Sequence, residues 1–92
     1  MPHFVMALTA TEFARQLQPL LGDDAGEVQR GAWRLRWRGQ VVEIACRPLA
    51  ALQLGALSLP QVEVSLTFTS DETAQQDAFM TEFMNCFRRG GG

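Results

Sequence analysis

Residues 32–46, AWRLRWRGQVVEIAC, carry the pattern that most restricts how this chain can fold. Large apolar side chains alternate with arginines: Trp33, Leu35 and Trp37 fall on one face, and Arg34, Arg36 and Arg38 fall on the other. A period of two is typical of a strand with one buried face, and Gly39-Gln40 fits a two-residue turn with glycine first. We therefore predict a β-hairpin in which Trp37 pairs with Val42 and Arg36 with Glu43.

The residues before this hairpin predict a short strand, a helix and a loop. Residues 3–8 have a weak alternation that favours a strand. Thr9 and Glu12 have the spacing of a capping box, so a helix is expected to begin there. Because proline lacks the N–H that a helix needs, Pro19 predicts that this helix ends or kinks near Gln18, and Gly22 is a natural stop for it. Residues 22–31, GDDAGEVQRG, are typical of a polar loop.

Three segments follow the hairpin. Residues 62–69, VEVSLTFT, alternate strictly and predict a strand whose even-numbered residues face the core. The segment before it, RPLAALQLGALSLPQ (residues 47–61), contains two prolines and a glycine, and its periodicity leaves open a short helix or an irregular strand. In the last segment, Thr69 and Glu72 have capping-box spacing, and the apolar residues of the predicted helix cover an arc of about 160°.

Strands joined by a hairpin and flanked by helices predict an α+β fold. We expect a three- to four-stranded antiparallel sheet with one N-terminal and one C-terminal helix packed on one face. The chain has 92 residues, of which 47% are hydrophobic and 20% charged, and we expect a single domain over residues 1–92 with a flexible tail at 90–92. No apolar run is long enough to span a bilayer and no signal-peptide pattern occurs, so we expect a cytoplasmic protein without a membrane partner.

The residue types that most enzymes and metal sites require are scarce. His3 is the single histidine, all eight basic residues are arginine, and Cys46 and Cys86 are far apart in the sequence. A Ser-His-Asp site, a zinc site, a P-loop and a Schiff base each lack required residues. We therefore expect a protein that is not an enzyme, with no catalytic residue, metal or cofactor. The two thiols are expected to be buried and inert, with a disulfide or a reactive thiol as the alternative.

The first candidate binding surface is an arginine row: Arg34, Arg36, Arg38 and Arg47. Alternate residues of a strand lie about 7 Å apart, close to the spacing of successive phosphates on a single nucleic-acid strand. The row is therefore a candidate site for an anion or single-stranded nucleic acid. The alternative, which we favour, is a solvated sheet face partly neutralised by Glu43 and Glu63, because the two tryptophans that could stack on bases belong to the opposite face.

The second candidate surface is the apolar arc of the C-terminal helix, which contains Phe79, Met80, Phe83, Met84 and Phe87. An arc of about 160° is wider than the roughly 100° needed to lie on a sheet. We therefore expect part of the arc to stay exposed as a rim that binds a protein partner or forms a weak homodimer. The alternative is a helix that is buried completely in the domain.

The C-terminal half, LGALSLPQVEVSLTFTSDETAQQDAFMTEFMNCFRRGGG, resembles small uncharacterised proteobacterial proteins that end in a Phe-rich helix and an Arg-Gly-Gly-Gly tail. The resemblance implies a bacterial, cytoplasmic protein and transfers no activity. Ubiquitin-like modifiers and sulfur carriers also end in Gly-Gly, but a strand precedes the tail in their β-grasp fold, whereas a helix is predicted here. We expect a non-enzymatic protein that acts through contacts at the helix rim. Anion or nucleic-acid binding is the second interpretation, and a Gly-Gly-tailed carrier is the third.

Overall fold

The computed structural model describes residues 3–21, 26–69 and 72–87. Seven elements follow one another along the chain: β1 (His3–Met6), α1 (Ala10–Leu21), β2 (Gly26–Gln29), β3 (Ala32–Trp37), β4 (Gln40–Leu54), β5 (Leu57–Phe68) and α2 (Thr73–Asn85). The strands form one antiparallel sheet in the order β1-β5-β4-β3-β2. The predicted α+β class is therefore confirmed. The predicted tail at residues 90–92 lies outside the described residues.

The sheet has five strands instead of the predicted three to four, because β2 forms inside the predicted polar loop. The side chains of β2 are exposed along the whole strand, and β2 pairs with β3 alone. Backbone hydrogen bonds to one neighbour are enough to hold such an edge strand, and they leave no hydrophobic pattern in the sequence. At the opposite edge, the strand predicted within residues 3–8 is confirmed as β1.

The central hairpin is confirmed, although its register differs from the predicted one by two residues. Arg38 and Gly39 form the turn with φ of 51° and 83°, so Trp37 pairs with Gln40 and not with Val42. Positive φ at both central positions is the signature of a type I′ turn, whose twist matches that of the flanking strands. A shift of two residues keeps every side chain on its predicted face, so the predicted buried face is confirmed.

Helix α1 begins with the predicted capping box. The Glu12 N–H donates to Thr9 Oγ1 and the Thr9 N–H donates to Glu12 Oε1, each at 3.0 Å. The backbone and hydroxyl hydrogen bonds from Thr9 lower the pKa of the Glu12 carboxyl below its usual value. The helix continues past the end predicted near Gln18 and ends at Leu21, the residue before the predicted stop at Gly22. Because Pro19 lies in the last turn, it removes a single helical hydrogen bond, while Leu17 and Leu21 stay buried against the sheet.

Helix α2 does not begin with the predicted capping box. Its N-cap residue is Glu72, which makes no side-chain cap hydrogen bond. Thr69, which was predicted to cap the helix, instead accepts a hydrogen bond from the Val41 N–H at 3.1 Å through Oγ1. The Thr69 N–H also donates to the Val41 carbonyl at 3.2 Å, so this residue continues the pairing of β5 with β4. The prediction was wrong because the strand holds a residue that local spacing assigned to the helix.

Both helices pack on the same face of the sheet, as predicted. Aromatic rings join them: Phe13 of α1 lies 6.2 Å from Phe83 of α2 and 5.6 Å from Trp33 of β3, measured between ring centroids. The buried core is made of Phe13, Leu17, Leu21, Trp33, Leu35, Val42, Ile44, Cys46, Val62, Val64, Leu66, Phe79 and Phe83. We call the opposite side of the sheet, which neither helix covers, the open face.

Candidate protein-binding surface

Strands β4 and β5 continue past the rest of the sheet as a two-stranded projection, which we call the β-arm (residues 48–61). Pairing of β3 with β4 ends at Ala45, and pairing of β1 with β5 ends at Val62, so beyond these points β4 and β5 pair only with each other. The segment that periodicity left open is therefore a strand pair. The six steps from residue 48 to residue 54, at about 3.3 Å each, give an arm about 20 Å long. The molecule measures 46 Å along its longest principal axis and 26 and 25 Å along the other two, so the length of the arm accounts for the difference.

The β-arm places its leucines on the open face. Alternation along β5 puts Leu57 and Leu59 on the same side as the odd-numbered residues of the open face. On β4, a bulge between Leu49 and Leu52 sets two residues opposite one, which moves the open-face positions from odd to even numbers. Leu52 and Leu54 then pair with Leu59 and Leu57. We call this surface the leucine face; it consists of Leu49, Leu52, Leu54, Leu57 and Leu59.

The leucine face is exposed and its surroundings are uncharged. Leu52, Leu54 and Leu57 have exposed fractions of 42%, 51% and 62%. The β-arm contains no charged residue. On its other side, Gln53 Nε2 donates a hydrogen bond to Ser58 Oγ at 3.1 Å, so the centre of that side is polar. Adjacent exposed apolar side chains on a projecting element are typical of a surface that binds another protein.

Two prolines make the edges of the β-arm poor sites for pairing with a further strand. The Cys46 N–H donates to the Gly31 carbonyl at 2.7 Å, so even-numbered residues before the bulge direct their backbone groups toward β3. Pro48 is the next even-numbered residue of β4. It lies beyond the part of β4 that pairs with β3, and as a proline it has no N–H to donate to an added strand. By the same alternation, the missing N–H of Pro60 would point to the side that β1 occupies nearer the body of the sheet. Prolines in these positions block strand addition, so the leucine face is the stronger candidate for contact.

Of the predicted arginine row, Arg38 lies in the β3–β4 turn, and the other three arginines lie on the open face. Two interactions engage members of the row within the hairpin. Arg34 Nε and Nη2 donate to Glu43 Oε2 at 3.0 and 2.9 Å, so Glu43 pairs with Arg34 and the predicted pairing with Arg36 is wrong. The reason is the two-residue register shift. Arg38, in the turn, has its guanidinium carbon 4.4 Å from the centre of the Trp37 ring, a cation–π contact. No carboxylate among the described residues pairs with Arg36.

The fourth arginine, Arg47, is also paired. Its Nε donates to Glu63 Oε1 at 3.0 Å and its Nη2 makes a second contact with the same oxygen. His3 Nε2 lies 3.0 Å from the other carboxylate oxygen of Glu63. The hydrogen bonds from Arg47 and then from His3 lower the pKa of the Glu63 carboxyl. Exposed pairs of this kind contribute little to stability, but they reduce the positive charge that the row offers to an anion.

The predicted helix rim is largely part of the core. Phe79 and Phe83 are fully buried, and Met80 and Phe87 are partly buried against the core. Met84 is the member that reaches the surface, with an exposed fraction of 49%. Most of the wide apolar arc is buried because α2 contacts α1 as well as the sheet. That these residues bind a protein stays a prediction, and Met84 is the one that a partner can reach without a change in the fold.

The described residues offer little for other chemistry. A cleft of about 850 Å³ lies at the base of the β-arm beside α1 and the β2–β3 turn, and small residues such as Ala10, Ala14 and Gly31 line part of it. Cys46 is buried as predicted and Cys86 is half-buried; burial raises the pKa of both thiols, which keeps them protonated at neutral pH. Within the described ranges, no cluster of three or more metal-ligating side chains occurs and no helix is long and apolar enough to cross a membrane.

The sequence predictions missed the leucine face, although a signal for it exists. Residues 52–59, LQLGALSL, place two alternating leucine pairs symmetrically around Gly55-Ala56. Gly55 has φ of 61° at the first central position, which is the pattern of a two-residue hairpin turn with glycine first. No family model matches the chain, and the curated proteins contain no match to it.

Proposed function

We propose that this protein acts by binding another protein through the leucine face of the β-arm, without catalysing a reaction. The observation that carries the proposal is the exposure of Leu52, Leu54 and Leu57 on an uncharged projection. The exposed area of these three side chains together equals about one and a half fully exposed leucines. Complete burial of a leucine contributes about 1.5–3 kcal/mol, so a partner that covers this face gains about 2–5 kcal/mol from these side chains.

The fold supports this assignment because the core is complete without the arm. The buried cluster draws on both helices and on β3, β4 and β5 up to Cys46 and Val62, where the arm begins. The leucine face therefore serves no packing role inside the domain that would account for its exposed apolar area. Contact with a partner gives these side chains the coverage that the domain does not supply.

A photoreactive phenylalanine analogue placed at Leu54 tests the proposal in cells of the native host. The matched control carries the same analogue at Gln53, the neighbouring residue on the opposite side of the strand. Irradiation is expected to give a discrete covalent adduct from position 54 and little from position 53. Equal yields from the two positions, or no adduct from position 54, would contradict the proposal.

A second candidate function is binding of a single-stranded nucleic acid, and Arg36 is the observation that favours it. Its guanidinium has no carboxylate partner in the described part of the chain, and Arg34 and Arg38 lie on either side of it along the strand. Binding of a labelled single strand should then weaken steeply with salt and fall in Arg36→Gln more than in Arg15→Gln, a control on α1. Absence of binding at low salt would end this alternative. A carrier function, the third candidate, predicts a covalent adduct at Gly92.

A further inference from the structure

The leucine face is built so that it fits a copy of itself. Two cross-strand leucine pairs lie side by side on this surface: Leu52 with Leu59, and Leu54 with Leu57. When two such surfaces meet about a two-fold axis, each presents the same leucine pairs to the other. Facing sheets pack about 10 Å apart, a distance that leucine side chains from both sides fill.

We propose that the partner of the leucine face is a second copy of this chain. This inference rests on the proposed function and names its partner. Each copy carries a net charge of −2, so two copies repel one another at long range. The β-arm is free of charged residues, and it projects from the body of the domain. It is therefore the surface on which like-charged copies can approach most closely.

The two arms meet face to face and not edge to edge. Pro48 and Pro60 remove the N–H groups that edge pairing would use nearest the base of the arm. The opposite side of the arm has the hydrogen bond from Gln53 to Ser58, and its apolar residues are alanine and proline, which offer less apolar area than the five leucines. Covering the leucine face is therefore the contact that lowers the free energy of the two copies.

The arms overlap antiparallel, with the tip of one over the base of the other. In a parallel overlap, the open faces of both domains would also meet, and each would bring Arg34 and Arg36 against the same residues of the other copy. Like charges that face one another across an interface are unfavourable. An antiparallel overlap joins the uncharged arms alone and leaves the two arginine rows apart.

The dimer is expected to be weak and reversible. A two-stranded arm about 20 Å long and about 10 Å wide covers less area than the roughly 1,200 Å² at the lower end of standard stable interfaces. Dissociation at micromolar concentration and association toward millimolar concentration therefore follow from the size of the surface.

Sedimentation of the full chain from micromolar to millimolar concentration tests the inference. Leu54→Glu and Leu57→Glu, one on each strand, place a carboxylate in the interface and are expected to weaken association by about tenfold or more. Gln53→Glu and Ser58→Glu add the same charge to the opposite side of the arm and are expected to leave association within about twofold of the original. Circular dichroism of each variant checks that the fold is kept, and the second strand supplies a variant if the first misfolds.

Three outcomes would overturn the inference. A wild-type chain that stays monomeric up to millimolar concentration rules out the second copy as the partner. Equal weakening by Leu54→Glu and Gln53→Glu shows that the leucine face is not the contact. A photoreactive residue at position 54 of the purified dimer that cross-links to the tip of the second arm, and not to its base, shows that the overlap is not antiparallel.

Failure of this inference is distinguishable from failure of the proposed function. In the cellular cross-linking experiment, an adduct of twice the 10.2 kDa mass of one chain supports both. An adduct to a different protein, together with a monomer in sedimentation, keeps the proposed function and overturns the second copy. A monomer in sedimentation that also gives no adduct overturns both.

Discussion

Replacement of Gly31 by alanine should destabilise the protein more than replacement of any other described glycine. Gly31 has φ of 78°, and a Cβ there would lie 2.6 Å from the carbonyl oxygen of Cys46. The Gly31 carbonyl also accepts the Cys46 N–H at 2.7 Å, so the two backbones are held together where the β-arm begins. The left-handed conformation costs an alanine about 1–2 kcal/mol, and weakening the strained hydrogen bond adds about 0.5–1.5 kcal/mol. We expect a loss of about 2–3 kcal/mol in the free energy of unfolding.

Gly39→Ala is the matched control for this prediction. Gly39 has φ of 83°, and a Cβ there would have no atom within 4 Å. This variant keeps the conformational term of about 1–2 kcal/mol and lacks the clash. Equilibrium unfolding in urea, followed by tryptophan fluorescence, gives the free energy of unfolding of each variant. If Gly31→Ala loses no more than Gly39→Ala, the close approach of the two strands at the base of the β-arm is not as described.

Three further predictions concern the helices and the buried thiol. Thr9→Ala should remove about 0.5–2 kcal/mol of stability and raise the pKa of Glu12 toward its usual value, which NMR titration measures. Since the native pKa of Glu12 is lowered, the part of this stability that depends on the Glu12 carboxylate is present above the unfolded-state pKa and is lost as the pH falls through the native value. The bond from the Glu12 N–H to Thr9 Oγ1 does not titrate, so the variant should lose less stability in acid than at neutral pH, and a larger loss in acid would contradict this. Phe83→Ala should cost about 3–5 kcal/mol, whereas Met84→Ala, at the exposed neighbour, should change stability by about 0.5 kcal/mol or less; similar losses would contradict the assignment of the rim to the core. An alkylating reagent should modify Cys46 quickly after unfolding and slowly in the native protein, and rapid native labelling detected by mass spectrometry would contradict its burial.

Alternation and capping were sufficient to predict most of the domain. Strands β3 and β5 show their buried faces in the sequence because a strand covered on one side needs apolar residues at every second position. The capping box of α1 depends on two residues three apart, so local sequence contains all of it. The capping box of α2 failed because Thr69 could also pair with Val41, which lies 28 residues earlier.

The candidate site was harder to predict because its pattern is interrupted. Leu49 and Leu52 are three residues apart, which breaks the period of two, and the bulge between them restores both leucines to one face. Local periodicity cannot show a bulge, so the segment looked equally compatible with a helix. The prediction of a sheet face holds for Arg34 and Arg36 and fails for Arg38, which lies in the turn. Both this failure and the pairing of Arg34 with Glu43 depended on a turn whose register was not fixed by the sequence pattern.

Along the strands without a bulge, the sequence by itself determined which side chains share a face, because alternation is a property of neighbouring residues on one strand. Only the tertiary structure decided which of those faces is covered. Coverage depends on how far the other elements reach along the sheet. Near the β-arm, β3 reaches only to its first residue, Ala32, and β1 only to its last, Met6, and both helices lie on the opposite side. As a result, Phe79 and Phe83 of α2 are buried in the core, whereas Leu52, Leu54 and Leu57 of the β-arm remain exposed.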